Sequence, residues 1–131
     1  MRYYIASSLD NASNVRDAIM RLTEAGYRVT HDWTRHGRIT DPSQYAAIGQ
    51  AEYQGVIDAD FVVFFMPTRF GSHVEFGIAL ASDKPIYMVT NGVEFEEKTF
   101  YHLPPVRRYN DLYELIGDLT NERQHSNEAR N

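Results

Sequence analysis

The chain has 131 residues, 43% hydrophobic and 24% charged, enough material for one domain around a single core. A formal net charge of -5 argues against a nucleic-acid groove or an anionic membrane surface as the main partner, while leaving room for a local basic patch that binds one small phosphate. With no cysteine there is no disulfide framework, thiol nucleophile or zinc–thiolate site. The opening Met1-Arg2-Tyr3-Tyr4-Ile5-Ala6 turns polar too soon for a signal peptide, and no segment approaches transmembrane length, so a cytoplasmic protein is expected.

Arg2 to Ala6 reads as a first strand ending in Ser7-Ser8. Val15, Ala18, Ile19 and Leu22 then recur at helical spacing, and Gly26 supplies the stop. Tyr27 to Thr30 reads as a short second strand running into His31-Asp32-Trp33, followed by a polar loop from Thr34 to Thr40. Asp41-Pro42 places an N-cap and a first-turn proline at the start of a helix reaching Asp58. Phe61 to Phe65 is a continuous apolar run, as expected of a strand covered on both faces.

Beyond a loop from Met66 to Gly71, the pattern predicts a helix from Ser72 to Ser82-Asp83, then a strand from Pro85 to Thr90. Asn91 to Arg108 mixes charge, aromatics and Pro104-Pro105, which reads as loop with at most one short strand. Asn110 caps a last helix carrying Leu112, Leu115, Ile116 and Leu119. The domain is assigned to residues 1–121, with 122–131 a polar, disordered tail. Alternating strands and helices predict a single-domain, flavodoxin-like α/β fold: a doubly wound parallel sheet, central order 2-1-3-4, with helices on both faces. Ala6-Ser7-Ser8 stands where a dinucleotide fold carries its glycine fingerprint, so a dinucleotide site is not expected.

Ligands of such sheets bind beyond the carboxyl ends of the strands, and Glu75 falls there, in the predicted first turn of a helix. The helix dipole would favour its ionised, nucleophilic form. Ser72-His73-Val74-Glu75 also matches a capping box, in which Glu75 would bond back to the N-cap amide. Glu52 lies four residues from both Ile48 and Val56 in an apolar stripe, which turns its carboxylate towards the interior or a cleft. Ser7 and Ser8 end the first strand at the same edge as Gly71 and Ser72, where short side chains admit a ligand close to the backbone. Trp33 follows the second strand there and is a candidate to stack on a base, or to pack its loop. Arg69 and the Arg35–Arg38 loop are candidate phosphate contacts. The histidines show no metal-ligand spacing with a carboxylate, so no metal and no cofactor are expected.

Tyr4-Ile5-Ala6-Ser7-Ser8, Glu52 seven residues before Ala59-Asp60-Phe61-Val62-Val63, Gly71-Ser72-His73-Val74-Glu75-Phe76-Gly77 and Lys84-Pro85 together resemble the nucleoside 2-deoxyribosyltransferase family, which includes 2'-deoxynucleoside 5'-monophosphate N-glycosidases. The resemblance spans residues 2 to 90. It implies cleavage of the N-glycosidic bond of a nucleoside or nucleotide, with Glu75 as the nucleophile on the anomeric carbon. Glu52 would stand where the family places an acidic residue, usually Asp, that assists base or sugar. Ser72 would contact sugar or phosphate. Arg69-Phe70-Gly71-Ser72 lacks the acidic pair that typical transferases carry there. Family sites are often completed by a neighbouring subunit, which makes Asn91 and its segment the binding candidate on that side. A homodimer is therefore expected, and Phe95, Phe100, Tyr101 and Leu103 are expected to supply its apolar contact. Two other functions fit the pattern: a non-catalytic nucleotide-sensing module of the same fold, and an NAD-cleaving glycohydrolase.

Overall fold

The structure, a computed structural model, describes residues 1–130, with side chains through Gln124. Five parallel strands form one sheet in the order β2-β1-β3-β4-β5: β1 Arg2–Ala6, β2 Arg28–Val29, β3 Phe61–Phe65, β4 Ile86–Val89 and β5 Val106–Tyr109. The helices are α1 Ala12–Glu24, α2 Tyr45–Asp58, α3 Phe70–Ala81 and α4 Leu112–Arg130. This is the expected flavodoxin-like, doubly wound α/β fold, extended by β5 on one edge. The Val106–Tyr109 strand lies inside the segment read as mostly loop. As an edge strand it needs only one apolar neighbour, so Arg107 and Arg108 interrupt its pattern.

Strand β3 sits between β1 and β4, with Tyr4 opposite Val62 and Val62 opposite Ile86. All five of its residues are buried, because helices cover both faces. On one face Phe61 meets Tyr3, Tyr27 and Tyr87. On the other, Phe64 packs on Phe76, His73 and Tyr101. Asp60 serves the turn before β3, its carboxylate accepting from the Arg2 amide at 2.7 Å. Lys84 Nζ donates to the Ile57 carbonyl at 2.8 Å, which satisfies an orphan acceptor at the end of α2.

Three expectations need correction. Helix α3 begins at Phe70, not Ser72, since a bond from the Arg69 amide to Ser72 Oγ closes its entry two residues earlier. Helix α4 continues past Asn121, and Arg123 ties the extension down, donating to the Ala25 carbonyl and stacking on the Tyr27 ring. Tyr101 is buried and Phe95 half-buried against the chain's own core, leaving Phe100 and Leu103 as the exposed apolar residues of that segment.

Close approach of α2 to β1 depends on Gly55. A Cβ there would lie 2.9 Å from His31 Cβ and 3.0 Å from the Tyr4 ring. Gly55→Ala is therefore expected to destabilise the fold by about 1–3 kcal/mol through overpacking. Gly49→Ala on the same helix, with nothing within 4 Å, should be neutral or stabilising because alanine favours the helix. Urea melts of the two variants check this, and equal stabilities would contradict the packing account.

Candidate active site

Three elements meet at Glu75. Its carboxyl, 7% exposed, projects from the second turn of α3 towards β1. The Tyr4 hydroxyl of β1 donates a hydrogen bond to Glu75 Oε2. From α2, the half-buried Glu52 carboxyl stands close enough to the same group to raise its affinity for a proton. The helical stripe that carries Glu52 thus turns it towards Glu75.

Two neighbouring carboxylates do not both ionise cheaply, which favours the protonated form of the buried Glu75. Burial first, and the Glu52 carboxyl second, raise the Glu75 carboxyl far above its ordinary range, against the opposing pull of the Tyr4 hydrogen bond. The Tyr4 phenol is itself pushed up, chiefly by burial and then by Glu75, and remains a donor. This corrects the idea that the helix dipole holds Glu75 ionised. The dipole acts over the first turn, and Glu75 is the sixth residue of α3. Burial decides its state. The capping-box reading falls for the same reason: Ser72, not Glu75, closes the helix, accepting from the Arg69 amide at 2.8 Å and donating to the Arg69 carbonyl at 3.0 Å.

Ser7 and Ser8 are buried at the end of β1. Ser7 Oγ donates to the Pro67 carbonyl at 3.0 Å and accepts from Asn11 Nδ2 at 3.0 Å, while the Ser8 amide donates to that carbonyl at 2.9 Å. These bonds knit the loops after β1 and β3 into one rim. Gly71 is exposed beside that rim, and a Cβ there would meet nothing within 4 Å. An Arg69–Asp10 ion pair at 2.9 Å links the same two loops, and with both side chains exposed it contributes little to stability.

Two candidates are placed elsewhere. Trp33 is 5% exposed and its Nε1 donates to the Ile5 carbonyl at 2.6 Å, so the indole packs its loop and offers no free face to a base. Asn91 adopts a left-handed φ of 56° and donates from Nδ2 to the Met66 carbonyl at 2.8 Å. It lines a cavity of about 430 Å³ with Asn11, Asn14 and Leu112, on the α1–α4 side and away from Glu75. A larger cavity of about 610 Å³ lies between the Met66–Phe70 loop and the Val93–Tyr101 segment, and the acid pair lines neither. Among the described residues no His, Cys, Asp and Glu cluster could hold a metal ion, and no helix is long and apolar enough to cross a membrane.

Tyr4 and Asn11 were not singled out from the sequence. Alternation along β1 puts Tyr3 and Tyr4 on opposite faces, and a tyrosine in a buried strand needs a partner for its hydroxyl. That need was the available signal for Tyr4. Asn11 left none.

No protein-family model matches the chain, and no curated protein matches it significantly. Among solved structures the chain is similar to BcmB, a CMP N-glycosidase of Clostridium botulinum, with a TM-score of 0.60 and 21% identity over 92% of this chain and 98% of that one. The likeness is one of fold.

The raised affinity of Glu75 for its proton has a consequence for stability. The folded chain holds that proton at pH values where the unfolded chain has lost it, so stability falls as pH rises above the ordinary carboxyl range. Glu75→Gln removes this cost and can still accept from Tyr4. The variant is expected to exceed the wild type at about pH 8 by more than about 1 kcal/mol, the worth of one pKa unit, with the gap closing towards about pH 4. Urea titrations at both values check it. A gap independent of pH would mean that Glu75 carries no buried proton.

Proposed function

We propose that the chain is an enzyme of the nucleoside 2-deoxyribosyltransferase type that cleaves the N-glycosidic bond of a nucleoside or nucleotide. The observation that carries this reading is the buried Glu75–Glu52 pair, oriented by Tyr4 at the carboxyl edge of a sheet folded like that of an N-glycosidase. A module that only binds nucleotides has no use for a pair of acids whose burial costs stability.

In this mechanism the Glu75 proton moves to Glu52 as substrate enters, leaving Glu75 ionised. A Glu75 oxygen attacks the anomeric carbon, the bond to the base nitrogen breaks, and its electron pair leaves with the base. Glu52 protonates that nitrogen as general acid. The negative charge on Glu75 stabilises the oxocarbenium-like state in a site with little water, and a glycosyl ester on Glu75 results. Glu52, now a carboxylate, takes a proton from water or an incoming base, which attacks the anomeric carbon and releases Glu75. Two displacements give net retention, as with paired carboxylates that stand close together. Ser7, Ser8, Gly71 and Ser72 form the rim that receives the sugar end of the substrate. The enzyme acts as a homodimer, a second copy helping to keep water from the cleft.

Tyr4 holds the nucleophile in place and, by donating to its ionised form, eases the proton's departure. Its contribution is positional, since the phenol stays protonated throughout.

Purified protein incubated with mixed nucleosides, 5'-monophosphates and NAD is expected to release free base from one of the first two classes, as read by chromatography. Glu75→Gln should lower turnover by on the order of 10³-fold or more with the fold intact. Glu52→Gln should slow it by about 10²–10⁴-fold, the usual worth of a general acid. Undiminished turnover in a folded Glu75→Gln variant would remove the assignment, and base release from NAD alone would redirect it to a dinucleotide substrate.

A further inference from the structure

Asn11 and Asn91 have no part in the chemistry at Glu75, yet both face the cavity of about 430 Å³ between α1 and the start of α4. Its walls carry three carboxamides (Asn11, Asn14 and Asn91), two carboxylates (Asp17 and Asp111) and one cation, Arg21. Met66 and Leu112 supply an apolar floor, and the exposed ring of Tyr113 stands beside them. A lining so rich in amides sets this cavity apart from the two apolar hollows on the other side of the Met66–Phe70 loop.

The amides are oriented before any ligand arrives. Ser7 Oγ donates to the Pro67 carbonyl at 3.0 Å, so it acts as an acceptor towards Asn11, whose Nδ2 donates to it at 3.0 Å. Asn11 Oδ1 must then accept, and it does so from Asn14 Nδ2 at 2.7 Å. Asn11 is 6% exposed and holds Asn14 from behind. Asn91 is fixed in a similar way, by donation from Nδ2 to the Met66 carbonyl at 2.8 Å. An amide has more hydrogen-bonding positions than these bonds use. Among the described residues, Asn14 and Asn91 each keep a carbonyl acceptor and a second N–H. Asp111 Oδ1 accepts from the Glu114 amide at 2.9 Å, and its other oxygen is one more acceptor.

We propose that this cavity binds a neutral polyhydroxylated molecule the size of one pentose ring. A hydroxyl donates and accepts at once, which matches amides that present both functions. These groups come from three separate segments: Asn14 on α1, Asn91 after β4 and Asp111 before α4. A ring with hydroxyls all round meets such walls, whereas a base keeps its polar atoms in one plane. The ligand is neutral because two acids outweigh one cation, and that cation is already paired with Asp17 at 3.2 Å. The N-terminus of α4, which would otherwise draw an anion, is capped by Asp111. A volume of about 430 Å³ lies at the small end of the range that ligand sites occupy. The proposal rests on this cavity and not on the glycosidic reading.

Saturation-transfer NMR with D-ribose, ribose 5-phosphate and cytosine tests it. At ordinary ligand efficiency a pentose of about ten non-hydrogen atoms binds in the millimolar range. D-Ribose is expected to bind there saturably, and the other two more weakly. Asn14→Ala and Asn91→Gly should each weaken ribose binding by about five-fold or more, through lost hydrogen bonds. Both variants should keep their circular dichroism spectra, since alanine suits an exposed helix position and glycine suits a φ of 56°. Ser13→Ala, exposed on α1 and outside the cavity, should leave the affinity unchanged. Glu75→Gln should bind ribose as the wild type does, which separates this cavity from the acid pair. The proposal is overturned by no saturable ribose binding across the millimolar range, or by an unchanged affinity in either folded asparagine variant. Loss of ribose binding in Glu75→Gln, or tighter binding of ribose 5-phosphate or cytosine, overturns it equally. Turnover enters none of these measurements, so the cavity and the activity can fail separately.

Discussion

The hydrogen bond from Tyr4 to Glu75, with Glu52 close by, joins β1 to α3 beside α2, where the sheet meets its helices on one side. Much of the local design follows from the need to bury that group without leaving it unpaired. The Tyr4 ring that reaches Glu75 passes close to α2, where any residue larger than Gly55 would strike it. Helix α3 must begin early enough to carry Glu75 into its second turn, and the Ser72–Arg69 bonds set that start. A buried acid pair with one proton is stable only with such support, because a lone buried carboxylate would cost far more than it returns.

The same constraint separates what the sequence showed from what it hid. Strands β1 and β3 were legible to the residue, since a strand buried on both faces writes itself as an unbroken apolar run. The parallel order followed from the alternation of elements. Strand β5 was legible only as one short strand allowed within a loop, because an edge strand carries no such run, and Arg107 and Arg108 there make ion pairs with Glu122 and Glu97 at the surface. The start of α3 was misplaced because Ser-x-x-Glu fits a capping box by type. In three dimensions the glutamate has a better use, turned inward to Tyr4. Trp33 was ambiguous for a different reason: an indole at a ligand edge and one that seals a loop look alike until the Ile5 carbonyl is seen to take its N–H.

Placement of Glu52 shows how much a single periodicity can carry. Its spacing from Ile48 and Val56 said only that the carboxylate faces inward, and the fold then set it against Glu75.

Helix α3 therefore serves two surfaces at once. One side carries the buried acid, the other the exposed Phe70 stripe, and Val74 and Glu75 are neighbours in the chain that face opposite ways. A helix with an apolar inner side needs no apolar outer side for its own stability, since a polar outer face would serve solubility better. Retaining Phe70 and Val74 in water costs a free monomer solubility and returns it nothing. The helix thus presents one apolar side to the core, where Glu75 is buried, and leaves Phe70 and Val74 in water.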